Sequence, residues 1–262
     1  MPKYIHNKTQ YNIEFDGSSL APIPELSTSR QTEFESGIKA ILDAIVGRMV
    51  GQQVFSNLPK GKTVRIVPRT TPSGVFTPDV CNALAEPPPM VAGDGKPAVI
   101  SIDPLTWKPK GDCNTAGSAG TAVDEVLLHE ILHSYRQLSG HQRSDAFNVP
   151  PDKQYGTIEE FWAIVVTNVY MSEGGKTLLR QDHESFAALP PKWSTSMGFL
   201  SDRDLLRWSR TILDQEKALL GAIDTSISAS TRFNPFHELL KNPGKFPIQI
   251  DIDPTPGPTQ RP

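Results

Sequence analysis

The chain has little net charge. Its 26 Lys and Arg against 29 Asp and Glu leave −3 over 262 residues, so no basic field points to nucleic acid or an acidic membrane surface as a partner. Long apolar runs are also missing. None approaches the ~20 residues that cross a bilayer, so no membrane span is expected. Cysteine is scarce: Cys81 and Cys113 stand alone in loop-like sequence, where a disulfide and two separate thiols are both open, and their spacing suggests no metal site. The opening segment MPKYIHNKTQYNIEF has no apolar stretch after its first lysine, so it does not read as a secretory signal. The expected location is therefore cytoplasmic, or outside the cell by a route that reads no such signal. No internal repeat is visible.

Proline is abundant. The 24 prolines punctuate the chain densely, which argues for long loops and against a simple helical bundle. Residues 1–31 are polar and read as a partly extended, irregular arm. From Gln31 to about Phe55, Phe34, Ile38, Ile41, Leu42, Ile45, Met49 and Val50 recur at three- and four-residue steps, predicting one long amphipathic helix. KTVRIVPRT (Lys62 to Thr70) and PAVISIDPLTW (Pro97 to Trp107) read as strands, joined through EPPPMVAGDGKP, which has no helical option.

Three helices follow. The first runs from Ala122 to Ser139, with Thr121 and Asp124 as a capping box and Gly140 as its stop. The second runs from Thr157 to Gly174. The third, about Asp202 to Asp224, takes Ser201 as its cap, and a short helix at Pro235 to Asn242 comes after it. The order predicts an α+β fold in one domain over 1–245. The tail 246–262, ending DIDPTPGPTQRP, is too poor in apolar residues to fold alone and is expected to be disordered.

The chemistry concentrates in LLHEILHSY, Leu127 to Tyr135. Residues four apart share a helix face, so His129 and His133 can aim two imidazoles at one metal ion. Glu130 lies about 100° round the helix from His129, placed to reach a metal-bound water without being a ligand. That is the logic of HExxH: two nitrogen ligands and an adjacent general base. Zinc brings the pKa of its water towards ~7 and the glutamate takes the proton as the water attacks a carbonyl. Chance produces HExxH in fewer than about 1 in 100 chains of this length, and here it falls within a capped apolar helix.

A catalytic zinc needs a third protein ligand and an open position. The metzincin spacing would put histidine, and the aspzincin spacing aspartate, at the position Ser139 occupies. His141 comes two residues late, beyond the Gly140 stop. A glutamate from the next helix is left. Glu160 begins EFWA, like the ExxA pattern in which gluzincins carry their ligand; Thr157 and Glu160 also make a capping box. Glu159 is the runner-up, and His141 stays open behind both. For the hydrogen-bond donor that such peptidases aim at a developing oxyanion, Tyr170, His183 (in LLRQDHESF, beside Asp182 and Glu184) and Tyr135 are candidates. Asn168 can bond across the helix pair. The strand Ala98–Asp103 fits the edge strand that holds an extended peptide above the metal in zincins.

LLHEILHSYR, followed by GTIEEFWAIVVTNVYMSE and LRQDHESF, resembles bacterial effector and toxin metallopeptidase domains. These are delivered by specialised secretion systems or carried at the C-termini of larger toxins. The likeness spans residues 121–186, a quarter of the chain. It implies a zincin-like fold of gluzincin type: a small mixed sheet with an edge strand above an HExxH helix, and further C-terminal helices. It also implies a Zn2+ ion on His129, His133 and Glu160, with Glu130 as base. The partners it implies are a protein or peptide substrate, a secretion apparatus and a cognate immunity protein, with export by a non-classical route. A cell-wall peptide amidase shares the metal chemistry, and a non-catalytic protein-binding module on the same scaffold is the competing class. Retention of Glu130 favours catalysis.

Overall fold

In the computed structural model, residues 3–6, 9–17, 28–69, 83–85, 97–104, 118–142, 155–182, 187–227 and 231–246 are described. Cys81, Cys113, His183, the connection 86–96 and the tail after 246 lie outside the described residues. The architecture is α+β, with a small mixed sheet and several helices.

The sheet is built from β1 (Lys3–His6), β2 (Thr9–Phe15), β3 (Val64–Pro68), β4 (Leu84–Ala85) and β5 (Ala98–Ile102), in the order β1-β2-β3-β5-β4. β2, β3 and β5 run parallel, while β1 and β4 pair antiparallel at the two edges. Register pairs Val64 with Ala98, Ile66 with Ile100 and Pro68 with Ile102. All six are buried, alternating with half-buried neighbours, as a sheet with one covered face requires.

Three expectations change here. The N-terminal segment is not an irregular arm but the β1–β2 hairpin. Tyr4, Ile13 and Phe15 turn inward from it, while Lys3, Gln10, Asn12 and the 51% exposed Ile5 lie on the other face; the alternation of Tyr11, Ile13 and Phe15 in TQYNIEF is the signal for the strand. β5 is not an edge strand, because β4 covers its outer side at Ser101 and Ile100. The edge belongs to β4, whose two residues are too short a run to register as a strand. The long N-terminal helix is two, α1 (Thr28–Val46) and α2 (Met49–Ser56). The break falls at Arg48, which is extended and donates from Nη1 to the Tyr170 carbonyl at 3.2 Å. Glu173 supplies the cap of α2, accepting from the Met49 and Val50 amides at 2.6 and 3.0 Å.

α3 (Val123–Ser139) packs on β5, β4 and α1 by one side and on α4 (Ile158–Glu173) by the other. α4 is the central helix. Every residue from Phe161 to Ser172 is buried, which is what a nearly uninterrupted apolar sequence demands. α2 and α6 (Arg203–Gln215) close round it, and α5 (Ser196–Leu200), α7 (Lys217–Ser226) and α8 (Pro235–Lys241) complete the C-terminal layer. The third predicted helix is thus also two, interrupted at Glu216. Its cap is Asp202, which accepts from the Asp204 and Leu205 amides, rather than Ser201. At the start of α3 the N-cap position is Ala122 rather than Thr121: Glu125 reaches back to the Ala122 amide at 3.4 Å, and the Thr121 hydroxyl donates to the Ser118 carbonyl. Among the described residues, no helix is long and apolar enough to cross a membrane.

Candidate metal centre

α3 carries a polar stripe through an apolar helix. Glu125, His129 and His133 follow one another at four-residue steps, and Arg136 comes one turn later; all four are buried. Opposite them, the first turn of α4 delivers Glu160. His129 Nε2 lies 3.1 Å from Glu160 Oε2 and 3.1 Å from His133 Nε2, and His133 Nε2 lies 3.4 Å from Glu160 Oε1. This buried His-His-Glu group could hold a metal ion, and it is the one such group among the described residues.

The separations can be tested against a metal. Ligands ~2.0–2.1 Å from a tetrahedral zinc stand about 3.3–3.4 Å apart, close to what the three side chains show without any ion. Two imidazole nitrogens and a carboxylate facing a common point are also a donor set with too few protons to satisfy itself. The residues fit.

Thr157 explains how Glu160 comes to be there. Its hydroxyl accepts from the Glu160 amide at 3.2 Å, so one half of the expected capping box forms. In the other half, Glu160 would return to the Thr157 amide, but the Tyr155 carbonyl takes that proton and the carboxylate goes to the histidines. Burial alone would raise the Glu160 pKa. The hydrogen bonds from His129 and His133 overturn that and hold it below the ordinary carboxylate range.

Glu130 sits beside the group and is only 4% exposed. Desolvation pushes its carboxyl up to about 7, against the opposing pull of His133 and of an amide bond from the sheet edge. That bond is direct: the Ala85 N–H on β4 donates to Glu130 Oε2 at 2.7 Å. Desolvation lowers His129 to about 3, so it is a neutral imidazole. For His133 desolvation acts the same way, but Glu160, Glu130 and Glu159 outweigh it and the ring is raised above its usual value.

The other sequence candidates are distributed elsewhere. Glu159 turns away from the histidines and pairs with Arg136, Nε to Oε2 at 2.8 Å and Nη2 to Oε1 at 2.9 Å. His141 Nδ1 lies 2.9 Å from Glu216 Oε1, in the same network as Glu159. Tyr135 is raised to about 12 by burial and by Glu216, and so faces that network too. The Tyr170 hydroxyl donates to Asp124 at 2.7 Å, at the N-terminal end of α3. Asn168 bonds not across the helix pair but to the segment that follows α4: its amide donates to the Arg180 carbonyl and its oxygen accepts from the Arg180 amide, at 2.7 and 2.8 Å.

Arg180 is the residue the sequence reading missed. It is 3% exposed, its Nε donates to the Asp182 carbonyl at 2.6 Å, and its charge acts on His129, Glu130 and Glu160. The signal is present in LLRQDHESF, the segment that also carries His183. A cation three residues earlier, next to the apolar Leu178 and Leu179, was the better marker of a buried charge in need of carboxylates. No protein-family model, curated protein or solved structure matches the chain.

Proposed function

We propose that the chain is a zinc-dependent metalloendopeptidase of gluzincin type, acting as a bacterial effector or toxin. The observation that carries the reading is the convergence of His129, His133 and Glu160 at 3.1 to 3.4 Å, with the Glu130 carboxylate beside them. The effector or toxin role rests on the resemblance of LLHEILHSYR and GTIEEFWAIVVTNVYMSE to such domains.

Two imidazoles and one carboxylate suit zinc and leave one position open for catalysis. A zinc ion held by these residues supplies a Lewis acid that polarises a peptide carbonyl and makes water a nucleophile near neutral pH. Glu130 does the proton work. Raised to about 7 by burial, it is matched to accepting a proton and returning it to the leaving amine at that pH. The Ala85 amide fixes which carboxylate oxygen stays committed to the sheet edge and leaves the other for the proton. In the tautomer that carries its proton on Nδ1, neutral His129 turns an Nε2 electron pair towards the common point. Arg180, held by Asn168 on its backbone and by Asp182 on its side chain, adds a buried positive charge whose field acts on His129, Glu130 and Glu160.

The test combines metal analysis with peptide cleavage on the wild type and Glu130→Gln. One zinc per chain is expected in both, with cleavage in the variant reduced by about 100-fold or more. A wild type that takes up no stoichiometric zinc and cleaves no protein or peptide mixture ends the enzyme reading.

A further inference from the structure

Behind the metal centre lies a second polar cluster that the proposed chemistry does not use. Arg136 is fully buried. Its Nε and Nη2 grip both oxygens of Glu159 at 2.8 and 2.9 Å, Nη1 donates to Glu216 at 2.7 Å, and Nη2 also reaches the His141 carbonyl at 2.7 Å and Gln215 at 3.1 Å. The guanidinium thus ties four pieces of chain together: α3, the first turn of α4, the turn after α3 and the α6–α7 corner.

Its position relative to the ligands matters more than the number of bonds. Arg136 follows His133 by three residues, one turn along the same side of α3. Glu159 is the immediate neighbour of Glu160. The fork therefore sits one turn from a ligand on one helix and one residue from a ligand on the other. A planar, two-bond grip fixes both distance and orientation. Any slide or roll of α4 that drew Glu160 away from the histidines would have to break it. Trp162, two residues past Glu160, adds a contact in the same direction by donating from Nε1 to the Leu132 carbonyl at 3.4 Å.

We infer that Arg136, through its fork on Glu159, is a positioning residue for the metal centre, setting the register between α3 and α4 that brings Glu160 to His129 and His133. The inference rests on the metal reading above. Arg136 acts through the helices that carry the ligands; the Glu159 charge also acts on His133 directly, so Arg136→Lys, which leaves that charge in place, is the variant that isolates the register. Glu216, on the far side of the guanidinium, anchors the outer α6–α7 corner and has no part in that register.

This asymmetry gives the test. Full-length wild type, Glu159→Gln, Glu216→Gln and Arg136→Lys are titrated with Zn2+ against a competing chromophoric chelator. The metal-free forms are unfolded in urea alongside, at a temperature where each shows a folded circular dichroism spectrum. Glu159→Gln and Glu216→Gln each remove one carboxylate charge from Arg136, so both are expected to lose stability. Only Glu159→Gln and Arg136→Lys, which keeps the charge but cannot make the fork, are expected to bind zinc about 10- to 100-fold more weakly. Arg136→Lys decides the matter if Glu159→Gln does not fold. Zinc affinity that stays at the wild-type level in both, or falls equally in Glu216→Gln in step with stability, makes the cluster merely structural and overturns the inference. A wild type that takes no zinc overturns the metal reading and this inference with it.

Discussion

Two glycines at the ends of α3 allow a measurement of how tightly Arg180 is held. Gly120 and Gly140 have nearly the same left-handed backbone, with φ +72° and +74°. An alanine at either position costs ~1–2 kcal/mol for that conformation alone. Their surroundings differ. Among the described residues, a Cβ at Gly140 meets nothing within 4 Å, whereas one at Gly120 lies 2.7 Å from Arg180 Cδ and 3.2 Å from its Cβ. Arg180 cannot swing aside freely, because Asn168 holds its backbone at both polar atoms and Asp182 holds its Nε. Gly120→Ala therefore adds an overpacking cost of ~1–3 kcal/mol. At ~2–4 °C per kcal/mol for a chain of this size, its Tm is expected to lie about 2–12 °C below that of Gly140→Ala. Thermal unfolding of the two variants beside the wild type measures this directly. Because the Arg180 charge lowers the proton affinity of Glu130, displacing the guanidinium should also move the acid limb of the proposed peptidase activity to higher pH. Equal losses of Tm in the two variants would refute the claim that Arg180 is clamped against this turn.

Two other perturbations bear on how the helices are set. Thr157→Ala removes the hydroxyl that caps α4 on the Glu160 amide; it should cost ~1 kcal/mol and about 2–4 °C in Tm, with Thr157→Ser restoring both, and an unchanged Tm counts against the cap. Asp43 accepts from Tyr4, His6 and Lys39 at 2.8, 3.1 and 2.6 Å. Burial pulls its pKa up, but these bonds win and hold it below the ordinary aspartate value. A depressed carboxylate contributes stability above its unfolded pKa and loses it as pH falls through the folded one. Wild type should therefore exceed Asp43→Asn at neutral pH and converge with it as pH falls through the folded-state pKa of Asp43, below the ordinary aspartate value. A gap in Tm that stays constant across that range contradicts the assignment.

What could be read from the sequence divides by the distance over which each feature is determined. α3, α4, β3 and β5 follow from apolar spacing within a dozen residues, and each lies where periodicity puts it to within a few positions. The two helix breaks do not. Arg48 leaves the helical path with its guanidinium on the Tyr170 carbonyl, and α2 is capped by Glu173. Glu216 interrupts α6 and α7 while holding Arg136. In each case the apolar period runs straight through, and the side chain at the break answers to a partner more than seventy residues away. The β4 edge is similar. Two residues have no periodicity to read, yet one of them places its amide on Glu130.

The choice between Glu159 and Glu160 shows what further reasoning the sequence would have supported. Taken as single candidates, the two carboxylates look alike, since both open an apolar helix that must be buried. Taken as a charge balance, they are distinguishable. α3 brings three cationic or metal-seeking groups into the interior, His129, His133 and Arg136, and a buried guanidinium is tolerable only with a carboxylate in bonding contact. One glutamate must serve the arginine and the other is left for the histidines. Successive residues of a helix point about 100° apart, so one carboxylate cannot do both tasks, and the pair of adjacent acids meets two separate needs. Arg136 lies one turn further along α3 than His133. Glu159 meets it there, and Glu160 turns to the histidines. The adjacent acids in EEFWA are one requirement seen from the other helix: a fork on Arg136 and a carboxylate on the histidines, side by side.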